Sequence, residues 1–231
     1  MTEPSDYCEA LVRDADKDRF LAALFAPAAS RPDLFALYAF DLETAAVAHR
    51  VRDPVAGEIR LQWWHEALHD ESDASGHPVA DAMRSLLRRH GTGTAEALGL
   101  IDARRRDLYA DGERTEAEFE LSASQTAGAI FLMAARILVP APDDAVRLAA
   151  HHAGVAAAAS QLTAAEADAF DPAALAKRHR SAARDLIAQL PAAVLPAFLP
   201  LVLVVDGRAS LPQWRKQWIL WRASKHLTRW L

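Results

Sequence analysis

Residues 18–50 read DRFLAALFAPAASRPDLFALYAFDLETAAVAHR, and this stretch decides the fold class. Phe20 and Leu24, like Leu21 and Phe25, lie four residues apart, the spacing that aligns side chains on one face of an α-helix. Pro27 ends that helix. Pro32 opens a second one, with Asp33 favourably placed in its first turn. Leu34, Leu37, Tyr38, Phe40 and Leu42 make the second helix apolar, and the pattern predicts that it runs to about Arg50. Alternation at period two, the mark of a half-buried strand, is absent from both blocks.

The same punctuation continues along the chain. Asp53-Pro54 reads as an N-cap with proline at N1, opening a helix that carries Ile59, Leu61, Trp63, Trp64 and Leu68. His77-Pro78 starts a helix to His90, closed by Gly91-Thr-Gly93. Thr94 is expected to cap a helix to Tyr109. Thr115 and Glu118 form a capping-box pattern, and the helix behind them is expected to reach Leu138, before Pro140 and Pro142. Asp143 or Asp144 caps the next helix, running through His151-His152 to near Ala167. Asp171-Pro172 opens an amphipathic helix to Leu190. A proline-interrupted apolar segment, 191–205, precedes a final helix, Pro212–Trp230. The reading is an all-α, single-domain bundle of about nine helices over residues 1–231. Leu24, Phe35, Leu37, Leu61, Leu86, Ile130 and Leu186 are expected to be buried.

Composition agrees. Alanine, the strongest helix former, makes up roughly a fifth of the chain, and only 9 of 231 residues are glycine. A hydrophobic share of 52% excludes intrinsic disorder. A net charge of −5 gives no bulk basic field, so nucleic acid is not an expected partner. One cysteine, Cys8, excludes an internal disulfide framework and a cysteine-based zinc site. MTEPSDYCEA does not read as a secretory signal. The apolar run Val194–Val205 contains two prolines and is shorter than the roughly 20 residues of a spanning helix. The expected location is cytoplasmic, with a peripheral position at the inner membrane as the variant.

Taken singly, the chemistry-bearing residues point to no reaction. His151-His152 resembles a metal pair, but adjacent helical residues are rotated by roughly 100°, which favours a structural or surface role. Arg104-Arg105-Arg106 could clamp a diphosphate and reads more simply as a solvated helix face. Trp214, Trp218 and Trp221 recur at i, i+4 and i+7 on a helix that also carries Arg215, Lys216, Arg222, Lys225 and Arg229. They close the core, or they make a contact with a partner or a membrane surface. The contact reading names Trp214, Trp218, Trp221, Arg222 and Arg229.

The ordered set of segments resembles the squalene/phytoene synthase family. The resemblance runs through residues 18–40, then Gly57-Glu-Ile-Arg-Leu-Gln-Trp-Trp64, Gly76-His-Pro-Val-Ala80 and Leu100–Tyr109. It continues through Thr126-Ala-Gly128, Ala134–Leu138, His151-His-Ala-Gly-Val-Ala156 and Trp214–Arg222. It implies an all-α isoprenoid-synthase bundle with a central cavity. In active members two aspartate-rich motifs hold Mg²⁺, which neutralises the leaving diphosphate. Aligned on Ala39-Phe40, this chain places Ala45, Ala46 and His49 where the first motif's carboxylates would stand. Asp41 and Glu43 lie one turn early. Ser122 stands where active members have a tyrosine. At the second motif only Asp168 matches, with Ala167 at the arginine and Pro172 at the next carboxylate.

The resemblance is strongest to a non-catalytic branch that includes a mitochondrial complex I assembly factor. It implies a degenerate synthase acting in assembly or as a scaffold, with respiratory complex I subunits as partners and no cofactor. Two other readings stand beside it. One is an active prenyl transferase using Mg²⁺ on Asp41, Glu43, Glu58 and Asp168. The other is a binder of an isoprenoid lipid or quinone in the retained cavity.

Overall fold

The structure is a computed structural model. It describes residues 3–50, 53–69, 75–91, 93–109, 114–139, 143–162, 169–204 and 208–231, all without strand. The α-helices are α1 (Pro4–Ala15), α2 (Lys17–Ala23), α3 (Arg31–Arg50), α4 (Pro54–His69), α5 (Pro78–His90) and α6 (Thr94–Asp107). They continue as α7 (Glu116–Ala123), α8 (Ala129–Leu138), α9 (Asp144–Ala159), α10 (Pro172–Ile187), α11 (Leu201–Val204) and α12 (Gln213–Ala223). A π-helical segment, Ser124–Gly128, joins α7 to α8 in one rod. Counted that way the described residues form eleven helices, two more than the nine expected: α1, ahead of the first helix read from the sequence, and the four-residue α11 inside the proline-interrupted segment.

Several caps are as the sequence predicts. Asp53 Oδ1 accepts from Val55 N at 3.0 Å, Asp143 Oδ1 from Val146 N at 3.0 Å, and Asp171 Oδ1 from Ala173 N at 2.9 Å. Both halves of the Thr115–Glu118 capping box form. Thr94, by contrast, is the first helical residue rather than the cap. Gly93, at φ 97°, takes the cap position in a conformation that costs glycine little. The last predicted helix breaks early: α12 stops at Ala223 and a 3₁₀ turn, Leu227–Arg229, follows.

The long helix α3 runs through the core and packs against α1, α4, α5 and α8. Its residues 34–40, LFALYAF, are all buried. Against α8 and α9 it forms one main core, while Ala123, Val155, Ala159 and Leu175 make a smaller cluster where α7, α9 and α10 meet. The rod Glu116–Leu138 is long and apolar enough to cross a membrane by length and composition, and 56% of its apolar window is buried inside this bundle.

Phe35, Leu37, Leu61, Leu86 and Ile130 are buried as expected. Leu24 is not: it is 40% exposed, because α2 ends at Ala23 and the turn rotates it outward, leaving Ala22, Ala23 and Ala26 in the core. Leu186 is only partly buried, and its neighbour Ile187 takes the core position. Ile130→Val should therefore cost about 0.5–1.5 kcal/mol, and Leu24→Ala less than about 0.5 kcal/mol. Urea denaturation of the two variants beside the wild type checks the ordering.

Candidate functional site

Residues from α2, α3, α6, the π segment, α8, α9 and the 3₁₀ stretch 192–198 surround a cavity of about 380 Å³. One wall is apolar, with Ile130, Phe131, Ala134, Ala157, Ala197 and Val204. The charged part of the lining comes from Asp16, Asp18 and Arg19 at α2, Asp41 of α3 and Arg104 of α6.

Asp41, on α3, is the centre of that charged part. Arg19 Nη1 donates to Asp41 Oδ2 at 2.5 Å, and Arg104 Nη2 donates to Asp41 Oδ1. Arg104 Nη1 also donates to the Asp41 carbonyl at 2.8 Å and to Thr44 Oγ1 at 2.7 Å. Thr44 is held in turn by its own bond to the Phe40 carbonyl, at 2.8 Å. Asp16, the cap of α2, accepts from Arg19 N at 2.9 Å and from Arg19 Nε at 2.5 Å. Arg19 also lies over the Tyr38 ring, 5.2 Å from its centroid. Burial alone would raise the Asp41 pKa, but the two guanidiniums and their hydrogen bonds overcome it and hold the carboxyl below its ordinary value.

Two other carboxylates line the cavity, Asp16 and Asp18. Lys216 Nζ, reaching from α12, donates to both oxygens of Asp18, at 2.7 and 3.0 Å. Each carboxylate in the described cavity wall is therefore engaged by an arginine or a lysine. Magnesium takes hard oxygen donors from converging carboxylates, and the donors here are already neutralised by basic side chains.

The sequence-derived positions are distributed unevenly around this cavity. Asp41 and Ala45 line it. Ala46 is half-buried beside them. Glu43 faces a different cleft with Arg50, Arg60, Trp63, Trp64 and His77, and accepts from Arg50 at 3.3 Å. Glu58 accepts from Arg105 at 3.1 Å and from the Tyr109 hydroxyl at 2.5 Å. Ser122 donates to Asp107 at 3.1 Å. Of His49 the structure describes only the backbone, near the end of α3, and Asp168 lies outside the described residues.

Two sequence readings need correction. Arg104 is not part of a solvated face: its side chain is 14% exposed and inserted on Asp41, while Arg105 and Arg106 turn to Glu58 and Gln125. Arg19 and Arg104 were missed as cavity residues. The one local hint was Asp16, a helix cap three residues before Arg19. Nor does the 100° rotation separate His151 from His152. Both rings turn toward His179 of α10, with centroids 5.6 and 4.9 Å from it. Burial, with smaller repulsion from neighbouring histidines, lowers both pKa values, that of His152 to about 4.

On α12 the tryptophan stripe faces outward. Trp214, Trp218 and Trp221 are 65%, 50% and 47% exposed. Arg215, Arg222 and Lys225 lie over their rings at 5.1, 5.2 and 4.1 Å. The face turned inward carries Ile219, Leu220, Ala223 and the paired Lys216. Lys216 is thus a core-side ion pair and not part of the exposed positive charge.

Comparison with known proteins agrees with the architecture. The chain is 33% identical over 134 residues to the bovine (Bos taurus) NADH dehydrogenase (ubiquinone) complex I assembly factor 6, and 32% identical to the Homo sapiens protein of that name. The matched segment covers 57% of this chain and 40% of each relative, so the chain matches about two fifths of their length. A crystal structure of a dehydrosqualene synthase in complex with ligand superposes with a TM-score of 0.71 at 16% identity, covering 98% of this chain and 97% of that one. Residues 12–168 match the family model described as squalene/phytoene synthase. With that match extending over more than half of its length, the chain belongs to the squalene/phytoene synthase family.

Proposed function

We propose that this protein is a non-catalytic member of its family that acts in the assembly of respiratory complex I. The observation that carries this reading is the charge pairing in the cavity. A synthase of this family needs free carboxylates on facing helices, whereas Asp16, Asp18 and Asp41 are held by Arg19, Lys216 and Arg104. Ala45 and Ala46 at the aligned carboxylate positions support it, as does the similarity to complex I assembly factor 6. Incubation with farnesyl or geranylgeranyl diphosphate and Mg²⁺ is expected to release no pyrophosphate above background. Steady, Mg²⁺-dependent release above background would establish the prenyl transferase reading instead.

The exposed tryptophan and arginine stripe of α12, with the exposed Arg229 in the 3₁₀ turn after it, is the proposed contact with complex I subunits at the membrane surface. These residue types dominate binding hot spots, and a basic, tryptophan-bearing helix also suits an anionic bilayer. Affinity purification from the native host should recover complex I subunits. The double variant Arg222→Glu, Arg229→Glu should stay folded, since exposed charges contribute little to stability, and lose them. Undiminished recovery of those subunits, together with undiminished binding to anionic vesicles, would leave α12 with a packing role only.

The apolar wall of the cavity favours a second reading, in which an isoprenoid or quinone tail is bound without being transformed. Mass spectrometry of lipid extracted from the purified protein separates it from the first.

A further inference from the structure

We propose that His151, His152 and His179 form a binding site for one borderline transition-metal dication, of which Zn²⁺ is the best fit, with Glu120 as its outer partner. The site is separate from the cavity and independent of the assembly reading. It lies where α7, α9 and α10 meet, beside the small core of Ala123, Val155, Ala159 and Leu175.

Three imidazoles converge there. One ligand atom from each lies within 4.8 Å of the others, and His179 is buried while the other two are half-buried. His152 Nδ1 and His179 Nδ1 are 3.0 Å apart. Two nitrogens bound to one tetrahedral zinc at about 2.0–2.1 Å stand roughly 3.3 Å apart, so this pair needs only a slight opening to share an ion.

The second shell sets the tautomers. His179 Nε2–H donates to Glu120 Oε1 at 3.0 Å, which leaves the Nδ1 lone pair directed at His152. A carboxylate on the far nitrogen is the arrangement that orients and strengthens a histidine ligand. His151 Nδ1 is 2.8 Å from Ser124 Oγ; donating there, it keeps its lone pair on Nε2. In the metal-free state His152 Nδ1–H bridges to His179 Nδ1. Metal binding replaces that bridging proton, which moves through solvent to His152 Nε2.

The donor set decides the metal. Imidazole nitrogens suit zinc, copper and nickel, while magnesium and calcium require oxygen. The nearest carboxylate, Glu120, is occupied by His179 and by Arg178, whose Nη2 donates to it at 3.0 Å. His151 also lines a cleft with Ser124, Gln125, Leu132 and Arg147. Water or a small anion can complete the shell from there.

A competing histidine pair exists on α4. His65 and His69 lie one turn apart with ring centroids 4.9 Å from each other, so the test must discriminate. Zinc titration of the metal-stripped full chain by calorimetry should show one tight equivalent, retained in His65→Ala/His69→Ala. That equivalent should be lost in His151→Ala/His152→Ala, and Glu120→Gln should weaken it by about 10–100-fold. Because His179 is buried and its variant could unfold, the half-exposed His151 and His152 carry the test, with circular dichroism as the check on folding. In the wild type, cobalt substitution should give tetrahedral absorption bands. A tight equivalent that survives in folded His151→Ala/His152→Ala, one that is lost with His65 and His69, or no tight equivalent at all would overturn the assignment.

Discussion

Asp41→Ala should destabilise the protein by about 3–5 kcal/mol, the cost of removing one partner from a buried ion pair. Two guanidiniums, Arg19 and Arg104, converge on this carboxylate with side chains only 20% and 14% exposed. Arginine stays charged when buried, so the variant leaves Arg104 without its carboxylate beside an Arg19 that keeps only Asp16. The pH dependence has a definite sign. A carboxyl whose folded pKa lies below its unfolded value contributes stability above the unfolded value and loses it as pH falls through the folded one. For Asp41 the ordinary value is 3.8 and the folded value lies lower. The stability gap between wild type and variant should therefore be full at pH 5–7 and close as pH drops well below 3.8. Guanidinium denaturation across that range measures it. A loss under about 1 kcal/mol at pH 7 would mean that water reaches the cluster and screens it.

Gly154→Ala is the second large effect. A Cβ built on Gly154 falls well inside contact distance of Gly128 N and Cα and lies 2.9 Å from the Ala127 carbonyl carbon. These are backbone atoms in the π segment, so no side chain can rotate away, and α9 must separate from the rod. Overpacking usually costs about 1–3 kcal/mol, and this site should reach or exceed the upper end. Since the π segment also carries Thr126 and Ala127 of the cavity wall, separation should loosen the cavity as well. A drop in the thermal midpoint, checked against Gly99→Ala, provides the comparison: a Cβ at Gly99 meets nothing within 4 Å. Equal midpoints for the two variants would show that α9 yields without cost.

Much of the fold was legible in the chain itself because its signals are local. Caps at Asp53, Thr115, Asp143 and Asp171 and prolines at Pro54, Pro78 and Pro172 act within one helical turn, so spacing alone places those helix starts. The misread cases have equally local causes. At Leu24 the helix has already ended at Ala23, three residues before the Ala26 that Pro27 predicts, and at Thr94 the preceding glycine takes the cap.

The site was less legible because its chemistry is assembled across the chain. Asp41 could be named from sequence as a carboxylate. That it is held by Arg19, 22 residues earlier, and Arg104, 63 residues later, depends on how α2 and α6 pack on α3. Lys216 reads as surface charge on α12 until the fold carries it 198 positions back to Asp18. His151 and His152 look mismatched on their own helix, and only α10 supplies the third ring toward which both can turn. The two glycines illustrate the division. Gly128 and Gly154 each stand in a segment that marks the family, yet only their backbone contact, where α9 crosses the π segment, shows why a side chain on Gly154 has no room there. Sequence alone determined an all-α bundle, because capping and periodicity are read within a few residues, and the family likeness, because its motifs stand in order along the chain. Which charges face each other was decided by tertiary packing, because that depends on contacts no local pattern encodes.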